Sequence, residues 1–274
     1  MKKTLLLFTC FFNFLLLKGQ SDKETAIIEE ARKLYKSEMA SWYGTDVFLE
    51  RHADQRENIG GYFSYVENNV PKCVFFSRED VPKVISTISF DTTYSIKTAV
   101  DDGLKRDFTS YERDIFEIRQ NALSAIKTDK MFEFYENTNY NLIPLIEGNK
   151  KRVFILTGST KSGVVLFGND YLLTFDKNNK LTEKKRLHKS LIAADLSQGV
   201  SEGNTQKTGY HTHVLSEYIT STDVCTLLLY QKYTTWENYI VVSDKYVSLW
   251  NCTTNQLVIL TKKAWEKIIE NEKK

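Results

Sequence analysis

The run Tyr210-His211-Thr212-His213, followed after a gap of six residues by Thr220-Ser221-Thr222-Asp223, is where metal-ligand side chains recur at a chemically meaningful spacing. On a strand over Tyr210 to Val214 the side chains alternate faces, so His211 and His213 point the same way and their imidazoles converge on one cation. Asp223 supplies a third donor. Two imidazoles and a carboxylate, with a fourth position left to water, form the donor set of catalytic zinc, which brings the pKa of that water toward neutrality. Zn2+ is therefore the cofactor the pattern implies. The same residues also have a reading without metal. Thr220 to Asp223 is a helix N-terminus in which Thr220 caps and Asp223 faces the positive end of the dipole, and a His-x-His pair fits a half-buried edge strand.

The order His-x-His, a short gap and then Thr-x-x-Asp resembles the active-site run of the JAMM (MPN/JAB) zinc hydrolases, which read His-x-His, about seven residues, Ser-x-x-Asp. In that family the histidines end a strand and the Ser-x-x-Asp opens a helix. The resemblance implies zinc on His211, His213 and Asp223, Thr220 in the place of the serine that orients the oxyanion, and a glutamate as general base. It also implies hydrolysis of isopeptide, peptide or related amide bonds. The family's glutamate precedes a glycine on an early strand, and the best match is Glu57-Asn58-Ile59-Gly60-Gly61, with 153 residues between Glu57 and His211. Glu202 and Glu217 flank the histidines and are the alternative bases, since a base must only reach the reacting water.

Two further histidines are less committed. His188, in Arg186-Leu187-His188-Lys189, is a substitute ligand or substrate-facing donor if the sheet brings it close, and otherwise a surface group. His52 lies among Glu50, Arg51, Asp54 and Arg56 and reads as a solvated face. Gly158-Ser159-Thr160-Lys161-Ser162-Gly163 has the look of a phosphate loop but lacks the order Gly-Lys-Ser/Thr, and a strand follows it, so it reads as a hairpin turn.

The elements that must position these residues are of both kinds. Ser21-Asp22-Lys23-Glu24 is a capping box, and Ile27, Ile28, Ala31, Leu34, Tyr35, Met39 and Trp42 follow at helical steps up to Gly44, where the pattern predicts the helix to close. Gly61 to Val66 and Cys73 to Ser77 read as strands around a turn at 67–72, and Val84 to Phe90 as a third. Thr109-Ser110-Tyr111-Glu112 is a second capping box, opening a helix through Ile126. Beyond Asn141 the character is β: Leu142 to Ile146, Val153 to Thr157, Val164 to Phe167 and Tyr171 to Phe175. A polar loop over 194–209 then leads into the histidine strand, a helix covers Asp223 to Tyr233, strands cover Tyr239 to Val242, Tyr246 to Trp250 and Leu257 to Thr261, and a helix covers Lys262 to Lys273. The expectation is an α+β protein, a mixed β-sheet with flanking helices, divided into a signal peptide at 1–20, a small N-terminal α+β portion at 21–135 and a β-rich, JAMM-like C-terminal domain at 136–274.

Met1-Lys2-Lys3, an apolar stretch from Thr4 to Leu17 and a polar exit at Lys18 to Lys23 have the form of a secretory signal, too short for a spanning helix. The expected location is periplasmic or secreted, with no integral membrane span after cleavage. Removing 1–20 takes away Lys2, Lys3 and Lys18 and leaves 34 basic against 35 acidic side chains. A neutral chain without a basic block argues against nucleic acid as partner. Cys73, Cys225 and Cys252 remain, an odd number with no Cys-x-x-Cys pair; they read as small buried apolar residues, with Cys225 and Cys252 the pair to test for a bond. Two functions follow from these features. One is an exported zinc-dependent hydrolase of amide or peptide bonds acting on a peptide or protein substrate. The other is a non-catalytic secreted or cell-envelope binding module with a degenerate site.

Overall fold

A computed structural model describes residues 21–195 and 207–272. The signal segment and most of the 194–209 loop, Glu202 included, lie outside the described residues. The fold is α+β. Helix α1 (Asp22–Arg51) leads into an antiparallel sheet of β1 (Ile59–Glu67), β2 (Val70–Ser77), β3 (Val84–Ser89) and β4 (Val100–Asp101), followed by α2 (Ser110–Thr128). A second antiparallel sheet has the order β5 (Thr138–Glu147), β6 (Lys150–Ser159), β8 (Tyr171–Phe175), β9 (Leu181–Arg186). Strand β7 (Val164–Gly168), which falls between β6 and β8 in sequence, pairs with β10 (Leu191–Asp195), which follows β9, as a separate two-stranded ribbon. The last sheet is mixed: β11 (Thr208–Thr212) runs parallel to β12 (Asn238–Val242), which continues antiparallel through β13 (Tyr246–Asn251) and β14 (Gln256–Thr261). Helix α3 (Ser221–Tyr230) makes the crossover from β11 to β12, and α4 (Lys262–Glu272) closes the described chain. No helix among the described residues is long and apolar enough to cross a membrane.

Both expected capping boxes form. Ser21 and Glu24 bond reciprocally at the start of α1, and Thr109 and Glu112 do so at the start of α2. The end of α1 corrects the sequence reading, because the helix passes through Gly44 and ends at Arg51. The glycine serves packing and not termination: a Cβ on it would lie 2.6 Å from Cys73 Cβ, so α1 can lie against β2 only with hydrogen at that position. The turn between β1 and β2 is also tighter than expected. Asn68 and Asn69 both have positive φ, 49° and 67°, and form the whole turn, so that Val70, Pro71 and Lys72 belong to the strand. Residues 158–163 do not join a hairpin, since β6 pairs with β8 while β7 pairs with β10. Strands β9 and β10 carry no clear apolar alternation and went unread in the sequence.

Helix α1 is the spine. Leu34, Met39, Ala40, Val47 and Phe48 enter a cluster with Phe75, Ile88, Ile143, Phe154 and Cys225, which draws residues from both sides of position 135. One to two turns earlier, Ile28 and Ala31 pack with Val165, Phe167, Val224, Leu227 and Trp250. Its first turn is tied to β14, where Glu24 accepts from the Ile259 N–H at 2.6 Å. Ser221 at the head of α3 donates to Glu30 at 2.6 Å. Helix α1 therefore fixes the end of α3 on which Asp223 sits. Cys73, Cys225 and Cys252 are buried free thiols, so the Cys225–Cys252 pairing is not formed.

Candidate metal centre

Helix α3 opens on the third capping box. Thr220 Oγ1 receives the Asp223 N–H, and the Asp223 carboxylate accepts from the Thr220 N–H at 2.8 Å and from Thr220 Oγ1 at 2.6 Å. That explains one side of the carboxylate, Oδ2. The other oxygen, Oδ1, is buried and has no hydrogen-bond partner. Three imidazoles surround the carboxylate. His188 Nε2 is 3.2 Å from Oδ1, His211 Nε2 is 3.5 Å from Oδ1, and His213 Nε2 is 3.3 Å from Oδ2. His211 Nε2 and His213 Nε2 are 2.9 Å apart. All four side chains are buried.

The strand places the histidine pair as the alternation requires. His211 lies in β11, and His213 follows its end, continuing the ladder through its N–H to the Val242 carbonyl at 2.8 Å. His188 arrives from elsewhere, on the link between β9 and β10. This link runs against Gly168, whose φ is +87° and where a Cβ would stand 2.2 Å from the Ser190 carbonyl oxygen. Only glycine lets the His188 segment pass so near β7. Arg186 Nε donates to the His188 carbonyl at 2.8 Å and holds the turn from the other side.

The outer nitrogens fix the inner ones. His213 Nδ1 lies 2.8 Å from the Tyr218 carbonyl, which can only accept, so Nδ1 carries the proton and the neutral ring turns a lone pair inward at Nε2. His188 Nδ1 lies at ion-pair distance, 3.4 Å, from the Asp170 carboxylate and, though buried, makes no hydrogen bond. His211 Nδ1 meets the Tyr239 hydroxyl at 3.0 Å, with Phe167 stacked on the Tyr239 ring. The bond from His213 to the Tyr218 carbonyl is the carbonyl–histidine arrangement that orients metal ligands. His213 thus turns a lone pair inward, and the 2.9 Å contact between His211 Nε2 and His213 Nε2 requires a proton or another cation between the two rings.

The electrostatics have the same sense. Burial pushes the Asp223 carboxyl up, but His188 and His213 outweigh it and hold it well below the usual carboxylate range. For His188, burial works against the charged form, yet Asp223 and Asp170 raise its pKa to about 9. His211 is brought down to about 4, chiefly by burial. Asp170 is pushed up to about 6 by burial, against the opposing pull of His188 and the Thr157 N–H. Asp223 and His188 are thus a coupled pair in which positive charge beside the carboxylate is strongly favoured, and a proton and a divalent cation compete for that place.

His188, His213 and Asp223 each offer a ligand atom, and these atoms lie within 4.8 Å of one another, so this set could hold a metal ion, with His211 Nε2 beside it. Three imidazoles and a carboxylate suit a first-row divalent ion of the zinc kind. The adjoining cavity, lined by Phe167, Gly168, Leu187, His188, His211 and Val214 among others, measures about 20 Å³, room for roughly one water.

Of the residues read from the sequence, His211, His213, Thr220 and Asp223 are brought together, and His188, read as a substitute ligand if the sheet brought it close, joins them. Glu57 is not. It is exposed, on a short 3-10 turn at Ala53–Asn58 before β1, and it lines a different cavity with His52, Arg78 and Lys105. Glu217 is exposed and ion-paired to Lys245 at 2.6 Å. Asp170 was missed because Asn169-Asp170 between two apolar runs reads as a solvated turn; in the fold both residues are buried. Compared with known proteins, the chain matches no family model, no curated protein and no solved structure.

Proposed function

We propose that the chain is an exported metal-binding module, in which His188, His213 and Asp223, joined by His211, hold one divalent ion of the zinc kind in a closed site. The observation that carries this is the buried Asp223 carboxylate, whose Oδ1 has no hydrogen-bond partner and faces His188 and His211 Nε2 while its Oδ2 faces His213 Nε2. A bound zinc ion supplies a compact positive charge that neutralises Asp223 and accepts the inward lone pairs. The chain's own residues do the rest. Tyr218 and Tyr239 hold His213 and His211 in orientation, Asp170 faces the outer nitrogen of His188, Thr220 anchors the carboxylate, and Phe167 and Leu187 line the small cavity beside them. Four protein donors leave no open position, which is the mark of a structural and not a catalytic site.

The placement of His211, His213, Thr220 and Asp223 at a strand end and a helix start favours, as a second reading, the amide or peptide hydrolase that the JAMM resemblance implies. That reading needs a carboxylate facing the reacting water. Among the described residues, the other buried carboxylate at the cluster is Asp170, and it faces the outer nitrogen of His188.

Zinc content by plasma mass spectrometry separates these readings from a metal-free protein. One equivalent in the parent, lost in His188→Ala, His213→Ala and Asp223→Ala, is expected. Retention in His188→Ala together with hydrolysis of peptide amides would favour the three-ligand hydrolase. No bound metal after zinc is supplied would overturn both.

A further inference from the structure

A second cavity, of about 580 Å³, opens where α1, the β1–β2 hairpin, α2 and β5 meet, on residues the metal reading does not use. Its volume is that of a small-molecule site, and it lies at a junction of separate elements, where such sites concentrate. The floor is apolar: Tyr65 and Tyr111, whose rings meet edge to face at 5.3 Å, with Val66, Ile143 and Leu145. One wall is the cationic edge of α1.

The charges on that wall do not cancel. Lys33 is paired to Glu147 at 2.5 Å, and Glu147 is shared with Arg152 at 2.6 Å, so neither brings free charge to the cavity. Lys36 is held by the Asn69 side-chain oxygen, a neutral partner. Arg32 makes no hydrogen bond or ion pair among the described residues, and Glu29 is the one acid on the rim outside an ion pair. Arg32 and Lys36 stand one turn apart, where like charges repel, and an anion between them converts a small cost into two charge-assisted contacts.

We propose that this cavity binds an amphiphile of medium chain length, with an oxyanion head against Arg32 and Lys36 and an aliphatic body on the Val66, Tyr111 and Leu145 floor. The guanidinium fork matches a carboxylate or a phosphate monoester equally well in shape. The site is independent of the histidine cluster.

Calorimetric titration of the purified protein with decanoate, decyl phosphate, decanol and decyltrimethylammonium tests it. Saturable binding of one anionic amphiphile per chain is expected, with decanol and the cation weaker by about tenfold or more, the difference one charge-assisted contact makes. The double variant Arg32→Gln, Lys36→Gln should lose that margin for the anions and leave decanol unchanged, with an unaltered thermal melt since both residues lie at the surface of α1. Leu145→Trp, which fills the floor, should abolish binding of all four. A preference for decyl phosphate over decanoate, or the reverse, identifies the head. Equal affinity for decanol and the anions, no saturation at millimolar ligand, or anion affinity unchanged in the double variant overturns the proposal.

Discussion

His188 decides what kind of site the histidine strand makes, and Asp170 decides what His188 can do. With its outer nitrogen at ion-pair distance, 3.4 Å, from the Asp170 carboxylate, the ring presents Nε2 to Asp223, whose Oδ2 lies 3.3 Å away. Replacement of an outer carboxylate of this sort costs about 10- to 100-fold in metal affinity. Asp170→Asn keeps an acceptor for the Thr157 N–H, bonded at 3.0 Å, and removes only the charge. The expected result, read by competition with a chromophoric chelator, is a loss of zinc affinity in that range with the fold intact. Unchanged affinity would assign Asp170 to the β6–β8 corner alone. Asp170 was invisible in the sequence because its role depends on a residue 18 positions later, brought back by β9, a strand with no apolar alternation. His211, His213, Thr220 and Asp223 were legible, since strand alternation and a capping box bring near neighbours together by local geometry.

At the scale of elements, the head of α3 carries two functions that chelation separates. Thr220 caps the helix whether or not a cation is present, so Thr220→Ala should lower the urea midpoint by the equivalent of about 1 kcal/mol in EDTA, and by more with zinc because Thr220 also donates to the Asp223 carboxylate. EDTA itself should destabilise the parent further. Zinc at a hundredfold excess over its dissociation constant contributes about 2.7 kcal/mol of linkage, and that increment should vanish in Asp223→Ala. A chelator-insensitive parent contradicts the metal reading and leaves the cap untouched. Element boundaries were legible where caps set them and misread at Gly44, where the reason for the residue lies on β2. Gly44→Ala gains helix propensity of about 1 kcal/mol but forces a Cβ to 2.6 Å from Cys73, and overpacking of about 1–3 kcal/mol opposes it. A net loss in urea unfolding, relieved in the double variant with Cys73→Gly, is the expected pattern; a more stable Gly44→Ala would show that α1 and β2 can part at no cost.

The molecule as a whole hangs on α1, and one residue in the middle of that helix makes its stability depend on pH. Glu38 is buried beside the cluster that joins the two ends of the chain, and its carboxyl accepts from Asn141 Nδ2 of β5 at 3.0 Å. Burial pushes its pKa from 4.5 to about 7, against the weaker pull of Asn141, Trp42 and Arg119. The sign follows from proton counting. Between pH 4.5 and 7 the folded state keeps a proton that the unfolded chain has released, so stability from this group is greatest below 4.5, declines as pH rises and levels off above 7. The total decline is about 3 kcal/mol at 1.36 kcal/mol per pKa unit. Depressed carboxyls elsewhere, Glu112 with Arg106 among them, act in the opposite direction, so the parent's pH profile alone does not isolate Glu38. The difference between the parent and Glu38→Gln does, because the amide keeps the acceptor for Asn141 and cannot ionise. Urea unfolding of both proteins from pH 4 to pH 8 should show the variant gaining on the parent by about 3 kcal/mol across that range, with the change centred between the two pKa values. A constant difference would mean that Glu38 is ionised in the folded protein, and the junction between the N-terminal sheet and β5 would then have to admit water or a cation to it.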